Sequence, residues 1–193
     1  MNEKELSAQL IAAMSEDFDI QREVTGNNLL TGETIRADIV AHPKLHLIAS
    51  GFVPGYFCVE VKAVPTSRPE KRGREVVWQA LSYRLARFDF GVPVFAFVYP
   101  PLWMFYYDKG EDIEYFNPTT ADIKKAQRQA KFQEVAALIQ RGNVGWIEIQ
   151  QPNSYKPDGD LRLLFGAGRY WSKVDGISPV KNIGVRLHVG TSK

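Results

Sequence analysis

The sequence predicts an α/β protein: a mixed central sheet flanked by helices, folded as one domain over residues 1–193. Segments whose apolar residues recur at helical spacing alternate with strand-like apolar runs. Their order is helix, several strands, helix, strand, helix, strand, which suits a sheet covered on its faces. No repeat, linker or shift of composition divides the chain.

Each element follows from its residues. "EKELSAQLIAAM" places Leu6, Leu10, Ala13 and Met14 on one side, so an amphipathic helix is expected, ending near residues 15–17. "FDIQREV" reads as a strand, "TGNNLLTGE" as a turn, and "TIRADIV" as a second short strand stopped by His42-Pro43. "PKLHLIASGFVPG" reads as an irregular loop or a strand edge. "YFCVEVKAV" is the clearest strand and ends at Pro65. After the charged connector "SRPEKRGRE", "REVVWQALSYRLARF" repeats Val77, Leu81, Leu85 and Phe88, a helix with one face on the core. "VPVFAFVYP" is nearly all apolar, as in a central buried strand. "PLWMFYYD" and "DIEYF" suggest a further strand and hairpin, their aromatic residues more readily core than base-stacking platforms. A long helix is expected through "TTADIKKAQRQAKFQEVAALIQRG", its Lys124, Lys125, Arg128 and Lys131 forming a solvated face. "GWIEIQ", "LRLLF" and "VRLHV" complete the strands.

Composition narrows the classes. Hydrophobic residues make up 45% and charged residues 24%, the balance of a globular domain. No run reaches membrane-spanning length and "MNEKELSAQL" is polar, so a cytoplasmic protein without membrane contact is expected. One cysteine, Cys58, rules out an internal disulfide framework and reads as a buried, inert thiol. With only three histidines besides, no zinc cage is plausible.

Within "YFCVEVKAV", Glu60 and Lys62 are two apart and share a strand face, with Val59 and Val61 on the other. Arg36 and Asp38 stand in the same relation in "IRADIV", with Ala37 and Ile39 opposite. If the two strands are neighbours, Asp38 and Glu60 meet at one polar edge. Two carboxylates, a backbone carbonyl and water suit magnesium, with manganese as a substitute. Such a cation lowers the pKa of bound water and offsets charge on a phosphodiester, while Lys62 orients the water or steadies the developing charge. On the following helix Gln79 and Tyr83 are one turn apart, on a face that also carries Glu75. The connector before it holds Arg68, Lys71, Arg72 and Arg74, placed to neutralise a phosphate backbone. A second basic excess lies in the tail, at Arg162, Arg169, Lys173, Lys181, Arg186 and Lys193.

The succession Asp38, "VEVK" and "QALSY" resembles the PD-(D/E)xK nuclease superfamily, in its RecB-type and lambda-exonuclease-like branch with a Gln-x-x-x-Tyr helix. The resemblance covers roughly residues 1–100. It implies a restriction-endonuclease-like core of order αβββαβ, with helix and strand additions over about 101–193. It implies Asp38 and Glu60 as magnesium ligands, Lys62 as the catalytic lysine, and Gln79 and Tyr83 as residues that support the site or touch DNA. An accessory acid is also implied, either Glu5 or Glu23, with Glu23 preferred for its place near the sheet edge. The family's usual proline before the aspartate is Ala37 here. The implied activity is a metal-dependent deoxyribonuclease, endonuclease or exonuclease, acting on DNA as a homo-oligomer or within a larger DNA-processing complex. Two other classes stay open: a non-catalytic relative that binds nucleic acid or protein, and a structural protein whose "VEVK" is an ordinary salt-bridged strand.

Overall fold

The computed structural model describes residues 1–106, 123–152, 154, 159–165 and 169–177. The chain forms helix α1 (Glu3–Met14), strands β1 (Phe18–Asn28) and β2 (Thr34–Pro43), the short helix α2 (Leu45–Ala49) and strand β3 (Phe57–Val61). Helix α3 (Pro69–Arg84), strands β4 (Ala86–Arg87) and β5 (Phe95–Tyr99), helix α4 (Ile123–Gly142) and strands β6 (Val144–Gln150), β7 (Asp160–Phe165), β8 (Arg169–Ser172) and β9 (Gly176–Ile177) follow. The strands form one open sheet in the order β4-β1-β2-β3-β5-β6-β7-β8-β9. The β3–β5 and β5–β6 pairs are parallel and the others antiparallel, so the sheet is mixed as expected.

Strand alternation divides the core in two. Phe57, Val59 and Val61 of β3 and Phe95, Phe97 and Tyr99 of β5 face one layer, with Leu6, Leu10 and Met14 of α1 and Leu47 of α2. Cys58, Ala96 and Val98 face the other, with Val76, Val77, Ala80 and Tyr83 of α3 and Phe132, Val135 and Ile139 of α4. This is why β3 and β5 read as unbroken apolar runs: every residue of each is buried between helical layers. α1 begins with a capping box, in which Asn2 Oδ1 accepts the Glu5 N–H and Glu5 Oε2 accepts the Asn2 N–H, each at 2.9 Å.

Several expectations are corrected. "PKLHLIASG" contains the short helix α2 where a loop or strand edge was expected; Ser50 and Phe52 donate their N–H groups back to its last carbonyls and close it. The connector "SRPEKRGRE" is largely helix, since α3 starts at Pro69, whose fixed φ suits a first helical turn. These turns are charged and lack apolar periodicity, so pattern alone hid them. α3 also stops earlier, at Arg84, because Leu85 leaves the helical conformation and Ala86–Arg87 pair with β1. Its buried stripe is therefore Val76, Val77, Ala80 and Tyr83, and Leu85 is 46% exposed. Within "PLWMFYYD", Leu102–Phe105 form a 3-10 turn where a strand was expected, with Leu102 and Phe105 buried, and residues 107–108 lie outside the described residues. β1 extends through "TGNN", so the turn is shorter than expected. "DIEYF" and "VRLHV" lie outside the described residues. No helix among the described residues is long and apolar enough to cross a membrane.

Gly145 tests the register of β6. A methyl group there would collide with the Leu164 carbonyl and stand 2.8 Å from the Phe97 ring. Gly145→Ala is expected to cost about 1–3 kcal/mol, because a paired backbone yields little. Gly142→Ala would meet the far end of the Leu81 side chain, which can turn aside, and should change stability by less than about 1 kcal/mol. Urea unfolding of both proteins checks this; a Gly145→Ala protein as stable as the parent would contradict the β6–β7 pairing.

Candidate active site

The site forms where β2 parts from β3. Their antiparallel pairing runs Ala41↔Phe57, Val40↔Cys58, Ile39↔Val59 and goes no further. Continued by one rung, the register sets Asp38 opposite Glu60. At that rung a side chain replaces the backbone: Asp38 Oδ2 accepts the Val61 N–H at 2.9 Å. The alternation of β2 also changes there. Ala37 packs with the α3 layer, whereas Ile39 and Ala41 pack with the α1 layer. This corrects the expectation that Ala37 and Ile39 share a face. The cause lies next door on β1, where Glu23 has φ 51° and stands across from Asp38 between the Arg22↔Ile39 and Val24↔Ala37 pairs. A left-handed residue reverses the side-chain order of its strand, and both strands switch faces together. Asp38 sits at the switch, so its carboxylate reaches sideways toward β3.

Glu60 turns toward α3, on the Cys58 side of the sheet, and is 1% exposed. Its Oε1 lies 2.8 Å from Lys62 Nζ, and its Oε2 touches the Tyr83 hydroxyl. Tyr83 also donates to the Arg36 carbonyl at 3.0 Å. A phenol has one hydrogen, so full hydrogen bonding of both contacts requires a proton on Glu60. Burial, and then the neighbouring Asp38 carboxylate, raise the Glu60 pKa against the opposing pull of Lys62 and Tyr83. For Lys62, burial alone would lower the pKa. The contact with Glu60, and then the charges of Asp38 and Glu3, outweigh it and raise the value overall. Burial likewise pushes up Tyr83 and the buried Cys58 thiol, which therefore serves as packing. The whole group lies at the carboxyl end of β3, beside β5, where the Lys62 N–H still bonds the Tyr99 carbonyl at 2.9 Å. In open α/β sheets that end is where ligands bind.

Asp38, Glu60, Lys62 and Tyr83 are thus brought together, and the other candidates are not. Gln79 is exposed, one helical turn before buried Tyr83. The Glu23 side chain is 64% exposed and 4.0 Å from Arg36. Glu5 is spent on the α1 capping box. Arg68 is the left-handed residue preceding α3, and Lys71, Arg72 and Arg74 lie on the first turns of that helix. Arg72 is committed, at 3.2 Å to both Glu3 and Glu75. In the tail, Arg162 pairs with Asp160 at 2.8 Å and Lys173 with Glu16 at 2.6 Å, so neither is a free phosphate contact. Lys181, Arg186, Lys193 and the Arg169 side chain lie outside the described residues. Glu3 is the acid missed by sequence reasoning: it joins α1 to Arg72 and acts on Lys62. Nothing in "NEKEL" separates it from an ordinary helix-start acid.

Among the described residues, no three His, Cys, Asp or Glu side chains gather as metal ligands. The two carboxylates still fit a hard cation that keeps most of its water. Glu60 Oε1 is buried and faces Lys62 Nζ at 2.8 Å. Asp38 has only Oδ2 engaged among the described residues.

The raised Glu60 pKa has a definite sign in stability. The folded protein holds a proton that the unfolded chain has already released, so stability falls as pH climbs from the ordinary value of 4.5 to the raised one, and levels above it. Glu60→Gln removes this loss. In chelator, its melting temperature minus that of the parent should therefore increase with pH across that window. A difference that is flat or decreasing would mean that Glu60 is not held protonated by its surroundings.

No protein-family model, curated protein or solved structure matches the chain significantly, so the chemistry of the site is argued from its own geometry.

Proposed function

We propose that this protein is a magnesium-dependent deoxyribonuclease of the PD-(D/E)xK type that hydrolyses phosphodiester bonds. The observation that carries the reading is the meeting of Asp38, Glu60 and Lys62 where β2 parts from β3, with Tyr83 of α3 behind them. The order α1, β1, β2, β3, α3, β5 supports a restriction-endonuclease-like core, with α2 and β4 as short insertions. A strand built for stability alone has no use for a carboxylate 1% exposed.

The residues divide the work. Asp38 and Glu60 would hold magnesium, or manganese in its place, through Asp38 Oδ1 and Glu60 Oε1. When bound, the cation supplies an acidified water and offsets charge on the phosphate. Lys62 stays protonated, since its surroundings raise its pKa, so its part is to donate hydrogen bonds. It orients the attacking water or steadies charge on the phosphorane-like transition state. Tyr83 holds the Glu60 carboxyl in one rotamer and ties it to β2 through the Arg36 carbonyl. Arg68 and Arg74, without an ion pair among the described residues, and Lys71, only 3.9 Å from Glu75 at the limit of one, are the cations best placed to meet a phosphate backbone.

A second reading, a non-catalytic relative that binds DNA or protein, draws on a specific feature: both Glu60 oxygens are engaged by protein side chains, Oε1 by Lys62 and Oε2 by Tyr83. One set of measurements separates the two. The active reading expects magnesium to raise the melting temperature of the parent but not of Asp38→Asn. It also expects cleavage of linear, circular or single-stranded DNA with magnesium and none with chelator. Asp38→Asn, Glu60→Gln and Lys62→Ala should each lower the rate at least about a hundredfold while leaving the fold intact. No cleavage by the parent and no metal-dependent shift would leave the binding module.

A further inference from the structure

The outer flank of α3 carries a feature that the proposed chemistry does not use. The indole of Trp78 is 62% exposed. The other three tryptophans are occupied: Trp103 and Trp146 donate their indole N–H to Glu148 Oε1 at 3.2 and 3.0 Å, and Trp171 is buried. Trp78 makes no hydrogen bond, ring contact or cation–π contact among the described residues. A residue type usually found well buried therefore stands largely exposed.

Its neighbours on the helix are cations. Lys71, Arg74 and Trp78 follow one another at i, i+3 and i+7, so they lie along one flank of α3, with Arg68 just before the first turn. Lys71 is 66% exposed and only 3.9 Å from Glu75, at the limit of an ion pair. Arg68 and Arg74 are exposed and form no ion pair among the described residues. Arg72, by contrast, is held by Glu3 of α1 and by Glu75. The same helix thus holds Arg72 between two carboxylates and carries a loosely paired Lys71 and an Arg74 without an ion pair beside an exposed indole.

We propose that this flank binds single-stranded DNA, with Trp78 stacking an unpaired base and Lys71, Arg74 and Arg68 meeting the flanking phosphates. Its ligand class rests on the nucleic-acid reading above. The charges select that occupant. A protein or second-copy partner would be drawn by an exposed leucine such as Leu85, 46% exposed and seven residues on from Trp78, and would have to desolvate Arg68 and Arg74 without an ion-pair partner among the described residues. A strand of DNA brings a phosphate for each cation and a flat apolar face for the ring. Stacking on Trp78 also needs a base already free of its partner, so the flank favours single strands or frayed ends over intact duplex.

The test is made in chelator, so that cleavage plays no part. Oligothymidylate of about ten nucleotides, within the span of known single-strand sites, is titrated against tryptophan fluorescence and, separately, against anisotropy of a labelled oligomer. Binding should quench the parent's fluorescence. Trp78→Phe should lose the quench yet keep the affinity within about twofold, since phenylalanine still stacks. Trp78→Ala should weaken single-strand binding about tenfold or more, and blunt duplex binding less than about twofold. Arg74→Ala should instead flatten the salt dependence for both DNAs by about one counterion. Three results overturn the proposal: no binding of the oligomer by the parent, an unchanged affinity in Trp78→Ala, or a Trp78→Ala effect confined to self-association. Binding through Trp78 without any metal-dependent cleavage would sustain this site and remove the nuclease reading. Cleavage without Trp78-dependent binding would do the reverse.

Discussion

The hydrogen bond from the Val61 N–H to Asp38 Oδ2 is the constraint on which the site depends. A sheet closes its ladders with backbone groups wherever it can, because an unpaired buried N–H costs about as much as a lost hydrogen bond. Here β2 turns away from β3 after Ile39↔Val59, and only a side chain reaches the next donor. Asp38 can do so because β1 and β2 exchange faces at the Glu23–Asp38 position. Without that exchange, the Asp38 carboxylate would point out of one face and leave Val61 unpartnered. The same gap leaves room for Glu60 and Lys62 beyond it, since backbone pairing with β2 would otherwise continue past them.

Burial decides how Glu60 and Lys62 should be weighed. An exposed Glu–Lys pair contributes about 0–1 kcal/mol and explains nothing. Here the Glu60 side chain is 1% exposed and that of Lys62 14%. Removing both from water costs several kcal/mol per ion before their attraction returns anything, and apolar residues of similar size often do as well or better. Stability therefore does not account for the pair. The upward pKa shift of Glu60, caused first by burial and then by Asp38, expresses the same cost as a carboxyl that holds its proton too long. Under the proposed reading, a cation between the two carboxylates would lift the Asp38 repulsion and remove the need for that proton.

Period and apolar content made much of this legible. β3 and β5 were plain because both faces of each strand are buried, and α1 because its apolar residues repeat over three turns. The pairing of Asp38 with "VEVK" was legible as a possibility, since two short polar-bearing strands about twenty residues apart are natural neighbours. What escaped was the part fixed by backbone conformation and by distant contacts. A left-handed glutamate at position 23 leaves no pattern, so strict alternation put Ala37 and Ile39 on one face. The first turns of α3 set only Pro69 and Gly73 among charged residues, and a period cannot be read where no large apolar side chain recurs. Glu3 meets Arg72 across 69 positions of chain, a distance no local reading spans.

That last contact also changes the meaning of the basic cluster before Glu75. In the sequence Arg68, Lys71, Arg72 and Arg74 look equivalent, four cations in one charged stretch. In the fold they separate by what surrounds them. Arg72 is 38% exposed and held at 3.2 Å by one carboxylate from α1 and another from its own helix. To reach a phosphate it would first have to give up both, so little is gained by the exchange in water. Its contribution is instead mechanical and electrostatic: it ties the start of α1 to α3 across the sheet edge, and it keeps Glu3 near enough to act on Lys62. Arg68, Lys71 and Arg74 have no such prior claim, or a weak one, and a phosphate meeting them displaces only water and counterions. The charges of this one stretch so differ by their surroundings: Arg72 is bound by two protein carboxylates, Lys71 reaches Glu75 only at 3.9 Å, and Arg68 and Arg74 form no ion pair among the described residues.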